Sequence, residues 1–244
     1  MSVVALKTRG FAHPLFFVLM ASAVIVVVFV GFAPTFYLRS SFPQRRSMSL
    51  LLHVHGIVFS AWVSLFLVQT VLIARGARRL HQRLGWIGVG LAAAMVMLVF
   101  AAMVEELRRV RGFPPPPLAI SLSLFDIVVF ASLVGAAVRY RRRPDWHKRL
   151  MLSATIILLG APMFRLTLHF LGVSDPAEAG MVSALLVDAF FVPCFAYDLI
   201  TAKRLHPVHL MALALIVLDQ TAQAKVVDWQ PWIDFSTTMQ RLVS

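Results

Sequence analysis

Six polar side chains could carry chemistry inside a membrane, because they lie within long apolar stretches of the sequence. They are His53, His55, Asp126, Arg165, His169 and Asp188. Inserting an ionisable group at the centre of a membrane helix costs roughly 2.5–3.5 kcal/mol, so such groups mark candidate functional sites. At about 1.5 Å of rise per residue, all six lie about 4–12 Å from the same side of the predicted bundle. Their spacing therefore predicts one polar cluster in one half of a helical bundle.

The composition indicates what kind of bundle must position these groups. Of the 244 residues, 59% are hydrophobic and 14% are charged, against roughly 45–50% and about 25% in soluble domains. These values exclude a soluble globular enzyme, a disordered chain and a fibrous repeat. The single cysteine, Cys194, excludes an intramolecular disulfide framework. We predict an all-α, polytopic membrane protein with one integral domain over residues 1–244.

Seven stretches approach the length of about 20 apolar residues that a membrane span needs. We place the spans at 14–38, 50–74, 85–104, 118–138, 150–172, 181–201 and 207–224. Residues 225–244 contain Trp229 and Trp232 among polar residues, which is typical of an amphipathic tail at the membrane surface. The seventh stretch is the shortest and most polar of the spans.

The basic residues predict the orientation of these spans. Of the 23 Lys and Arg residues, 14 fall on the side of the N-terminus and 8 on the other side. Positive residues favour cytoplasmic loops, so we expect a cytoplasmic N-terminus and an external C-terminus. This bias also accounts for most of the net charge of +12 without a nucleic-acid partner.

Two of the predicted cytoplasmic loops end in similar basic motifs. The expected contacts with anionic lipid headgroups, or with a specific anionic ligand, are His81, Arg83, His147, Lys148 and Arg149. His206 and His209 lie three residues apart at the same side and are expected to be hydrated surface residues. Asp198 and Asp219 lie near span ends, where we expect water to reach them.

The polar cluster could bind b-type haem. We assign the cofactor-binding positions to His53, His55, His169 and Arg165, with Arg165 beside a haem propionate. Two axial histidines favour electron transfer, with a quinone or a respiratory complex as partner. We expect His53 to face inward, and Gly56 to leave space for the porphyrin.

Two other interpretations remain open. In a metal-dependent membrane hydrolase, zinc would be held by His53, His169, Asp126 and Asp188. In a non-catalytic structural or transport protein there would be no cofactor, and Arg165 would form an ion pair with Asp188 or Asp126.

Three motifs carry a resemblance to a known group. HVHG at 53–56, LHQRLGW at 80–86 and HKRLM at 147–151 resemble motifs of uncharacterised bacterial multi-pass inner-membrane proteins. Some of these are distantly similar to small membrane proteins associated with cytochrome oxidase assembly. The resemblance implies a bacterial inner-membrane location and a link with haem or respiration.

Overall fold

The computed structural model describes residues 3–42, 48–109 and 116–243. Within these ranges the regular structure is entirely helical. The α-helices are α1 Val3–Phe32, α2 Leu50–Ala74, α3 Arg78–Arg109, α4 Pro116–Arg139, α5 Pro144–Ile157, α6 Gly160–Phe170, α7 Pro176–Ala189, α8 Phe191–Ala202, α9 Pro207–Val226 and α10 Gln230–Val243. A π-helical turn, Ala33–Tyr37, extends α1. The predicted loops at 39–49 and 105–117 fall partly on residues 43–47 and 110–115, which lie outside the described residues.

The described helices confirm a helical membrane protein with several spans. Five segments are long and apolar enough to cross a bilayer: Pro14–Tyr37, Leu50–Ala74, Arg78–Arg108, Ile120–Arg139 and Pro176–Ala202. Two bent helix pairs, α5 with α6 and α9 with α10, would bring the number to seven if each pair is one span. The exact number of seven spans and the sides of the termini remain predictions.

Proline and glycine explain where the long apolar segments bend. Between α5 and α6 the axis turns by 43°. Pro162 lies in the first turn of α6, where it cannot donate a backbone hydrogen bond to Leu158. Pro193 has the same effect after the end of α7 at Ala189. The sequence correctly predicts a break at each of these prolines.

The C-terminal helix α10 bends by 79° from α9 and packs against α3 and α4. The indole nitrogen of Trp232 donates to the Pro117 carbonyl at 3.0 Å, and Arg108 Nε donates to the Val243 carbonyl at 2.9 Å. Trp229 remains 59% exposed. The tail predicted at 225–244 is therefore mostly a helix, and its place at a membrane surface remains a prediction.

Alternating helix directions bring three connections to one end of the bundle. These are residues 75–77, 140–143 and 203–206, and we call this side the basic end. At the basic end the rings of His81 and His147 contact each other, and Lys148 Nζ donates a hydrogen bond to the Tyr197 hydroxyl at 3.1 Å. The N-terminal helix reaches the same end, where Phe16 stacks on Tyr197 at 4.3 Å. The opposite end carries α10.

Candidate functional site

A buried charged network joins α5, α8 and α9 near the basic end. Arg149 is 2% exposed and Asp198 is fully buried, and Arg149 donates to Asp198 Oδ1 from Nε at 2.9 Å and from a terminal nitrogen at 2.7 Å. Fully buried His209 donates from Nδ1 to Asp198 Oδ2 at 2.8 Å. Its Nε2 is buried and has no hydrogen-bond partner among the described residues. One carboxylate therefore holds side chains of two other helices.

His206 connects this buried network to a more exposed layer. Its Nδ1 accepts from the Val208 backbone at 3.2 Å and so caps α9, while its Nε2 lies 2.9 Å from Asp145 Oδ2. The cap requires an unprotonated Nδ1, so the proton of the neutral ring is on Nε2. Burial of the ring, followed by the charge of Arg149, lowers the pKa of His206 below its ordinary value of 6.5. The geometry and the pKa both favour a neutral His206.

This network corrects several sequence-based expectations. Arg149 contacts Asp198 rather than lipid, and Lys148 turns toward Asp145 and Tyr197. His209 and Asp198 are fully buried rather than hydrated. The sequence could have predicted this ion pair. Asp198 lies in the last turns of a span that ends in a basic loop, and an acidic residue at such a position needs a cationic partner.

Two histidine rings, those of His81 and His147, lie close to each other in the described part of the chain. Their ring centres are 6.3 Å apart and the planes lie at 83°. His147 Nδ1 is 2.9 Å from the Ala137 carbonyl, and the side-chain amide of Gln69 contacts His81 Nδ1. The rings are carried by α3 and α5, which do not pack along each other. Helix α3 packs mainly on α2, α4 and α10, whereas α5 packs mainly on α4, α9 and α1. Thus two half-buried imidazoles meet between separate helices.

The intramembrane carboxyl groups are held by glutamine amides from α9. Gln223 Nε2 donates to Asp126 Oδ1 at 2.8 Å and to Asp219 Oδ2 at 2.6 Å. Gln220 Nε2 donates to Asp188 Oδ1 at 3.2 Å. Asp219 is 7% exposed, so the expectation that water reaches it freely is wrong. The sequence signal was the group of polar residues at 219, 220 and 223 in the last, most polar span.

Arg165 does not form the predicted ion pair with Asp188 or Asp126 among the ion pairs of the described residues. Its guanidinium lies over the Phe32 ring at 4.7 Å and donates to the Ala161 carbonyl at 3.0 Å. The carboxylate that acts on its charge is that of Glu106. The prediction of the pair is wrong, because the packing places the guanidinium against Phe32 and the Ala161 carbonyl, while the two aspartates accept from amides of α9.

The histidines of the opposite half do not converge as expected. His53 and His169 are both exposed, so neither lines the interior of the bundle. His55 is the more buried histidine of α2, where it stacks on Phe59 at 4.2 Å, and its Nδ1 has no hydrogen-bond partner in the described part of the chain. The space expected beside Gly56 is filled by the Phe36 ring, which an added Cβ would strike. The expectation that His53 faces inward is therefore wrong.

The zinc ligand set gains no geometric support. No group of three or more His, Cys, Asp or Glu side chains within the described ranges is placed to hold a metal ion. In particular, His53 and His169 are exposed, whereas Asp126 lies against Gln223.

Comparisons of the chain with protein-family models, curated proteins and solved structures give no match. The class of protein therefore follows from the helices and their polar groups alone. The fold and the site define a multi-pass α-helical membrane protein with a buried charged network and a histidine pair near one end.

Proposed function

We propose that this chain is a haem b-binding, redox-linked protein of the bacterial inner membrane, in which His81 and His147 would hold the haem. The observation that carries the proposal is the distance of 6.3 Å between the centres of the two rings, one on α3 and one on α5. This site replaces the ligand set of His53, His55, His169 and Arg165, of which His53 and His169 are exposed.

The ring spacing fits two imidazoles that bind one metal from opposite sides. With a metal–nitrogen bond of about 2.0–2.1 Å and about 1.1 Å from nitrogen to ring centre, the two centres would be about 6.3 Å apart. The observed separation is 6.3 Å. Direct van der Waals packing of two rings gives a similar range of distances, so the chemistry of the ring nitrogens must also fit.

The contacts of the Nδ1 atoms determine which ring nitrogens could bind a metal. Histidine ligands commonly use one ring nitrogen for the metal and hold the other in a hydrogen bond that fixes the ring. His147 Nδ1 is bonded to the Ala137 carbonyl, and His81 Nδ1 contacts Gln69. Nε2 therefore remains as the ligand atom of His147. At His81 the Gln69 amide nitrogen donates to Nδ1, so Nε2 would become the ligand atom only once Gln69 presents its carbonyl oxygen to a protonated Nδ1. Arg149, two residues after His147, anchors α5 to Asp198 and so holds the first turns of that helix in place.

A haem held by these two histidines would supply one-electron transfer. The residues of this chain would bind and orient the group near the basic end. Resemblance of the motifs at 80–86 and 147–151 to proteins linked with cytochrome oxidase assembly favours a quinone or a respiratory complex as the electron partner.

Haem content tests the proposal directly. The protein would be purified in mild detergent from haem-replete bacteria, and its visible spectrum and pyridine haemochrome would be measured. We expect a Soret band and about one haem per chain, with nearly complete loss in His81→Ala and in His147→Ala. His147→Met should retain haem, because methionine can also ligate haem iron. The reduction potential should rise, since Met/His ligation raises it.

His53→Ala and His169→Ala are the matched controls, because both remove exposed histidines of the same protein. Both should retain the wild-type haem content. A colourless wild-type protein from haem-replete cells would refute the proposal. Equal loss of haem in all four alanine variants would also refute it, since binding would then not depend on the His81–His147 pair.

A further inference from the structure

A second candidate site lies on the outer surface of α3 at the basic end. Arg79, Gln82, Arg83 and Trp86 line an open cleft of about 250 Å³. Their spacing of three, four and seven residues places them on one face of the helix. Trp86 is 67% exposed, and both arginines are exposed. This face is distinct from the one that carries His81.

The chemistry of the cleft fits a phosphate group. Two guanidinium groups one turn apart can each donate two parallel hydrogen bonds to phosphate oxygens. Neither Arg79 nor Arg83 forms an ion pair with a carboxylate among the described residues. Their positive charge is therefore available to an external anion.

The surface next to the cleft indicates that this anion carries hydrocarbon chains. From Trp86 an exposed stripe continues along α3 through Gly90, Ala93, Met97 and Phe100. Met97 is 67% exposed, and an added Cβ at Gly90 would meet nothing within 4 Å. An exposed apolar stripe thus runs from the arginines along α3. Tryptophan at the polar end of such a stripe is typical of the headgroup level of a bilayer.

We propose that this cleft binds one anionic phospholipid, with its phosphate between Arg79 and Arg83 and an acyl chain along the exposed stripe of α3. Trp86 packs against the glycerol region. The site differs from a general attraction of anionic lipids to basic loops, because it depends on two particular arginines. It also does not require haem at the histidine pair.

Native mass spectrometry of the delipidated protein in detergent, titrated with phosphatidylglycerol, tests this site. We expect one tightly held lipid, and about a tenfold weaker affinity in the double variant R79Q/R83Q. The double variant R75Q/R78Q removes the same charge from the neighbouring turn, where neither arginine lines the cleft, and should stay within about twofold of wild type. Trp86→Leu should weaken binding without a change of charge.

Further arms of the same titration separate the sources of the anion. Phosphatidylcholine should bind clearly more weakly, and inorganic phosphate at millimolar concentration should not displace phosphatidylglycerol, because it lacks the acyl chains. Equal losses in the two double variants would overturn the proposal in favour of diffuse electrostatics. Unchanged affinity in R79Q/R83Q, or displacement by inorganic phosphate, would overturn it as well. Thermal unfolding of each variant verifies that the exposed substitutions leave the fold intact.

Discussion

Replacing Arg149 with methionine should destabilise the folded protein by about 3–5 kcal/mol, the usual cost of breaking a buried ion pair from one side. Asp198 is fully buried and accepts four hydrogen bonds: two from Arg149, one from the His206 backbone and one from His209 Nδ1. The substitution removes both bonds from Arg149, the only cationic donor to Asp198 among the described residues. It leaves a buried carboxylate with two neutral donors.

The opposite substitution should cost less. In Asp198→Asn the guanidinium of Arg149 still contacts the Asp145 side chain and donates to the Asp145 carbonyl at 3.0 Å. We therefore expect a loss of about 1–3 kcal/mol, comparable to one charge-assisted contact. In the double variant no buried charge is left unpaired, so its cost should fall short of the sum by about 0.5–3 kcal/mol.

Unfolding in mixed micelles of dodecylmaltoside and sodium dodecyl sulfate, followed by tryptophan fluorescence, measures these free energies. Arg142→Met is the control, since Arg142 is exposed at the same end and its loss should stay within about 0.5 kcal/mol. The reasoning fails if Arg149→Met lies within about 1 kcal/mol of wild type. It also fails if the two single effects add without coupling.

Three further results are expected from the same unfolding measurement. Gly31→Ala should cost about 1–3 kcal/mol, because an added Cβ would overlap the Pro162 carbonyl where α1 meets α6. Because the pKa of His206 is lowered in the folded protein, the unfolded chain binds a proton there more readily. The free energy of unfolding should therefore be highest above about pH 6.5 and should decrease as the pH falls below it. Arg165→Gln and Asp188→Asn should have additive effects, whereas Arg165→Gln and Glu106→Gln should be coupled.

Each of these expectations has a matched comparison. Gly135→Ala adds the same methyl group where nothing lies within 4 Å, so it should be neutral or stabilising by up to about 1 kcal/mol. A cost equal to that of Gly31→Ala would contradict the packing argument. His206→Asn keeps a side-chain acceptor for the helix cap and should reduce the decline in stability below pH 6.5. An unchanged decline would show that other groups cause it. Coupling of Arg165 with Asp188 would restore the ion pair predicted from the sequence.

The class of protein could be predicted from the sequence, because hydrophobic length and composition act locally. A stretch such as 50–74 must become a helix in lipid whatever its neighbours do, since its backbone groups can be satisfied only within the segment. The helix at Leu50–Ala74 has the same bounds. Prolines act just as locally, which is why the breaks near Pro162 and Pro193 were predictable.

Which polar groups meet depends on how the helices pack and could not be predicted from the sequence. Depth along a helix can be estimated from the sequence, but rotation about the helix axis and the choice of neighbour depend on the packing of the whole bundle. His53 and His55 differ by only two residues, yet the packing exposes the first and partly buries the second. Likewise, Arg149 and Asp198 are 49 positions apart, and the pair forms because α5 and α8 place both charges in a buried site where each would be costly alone.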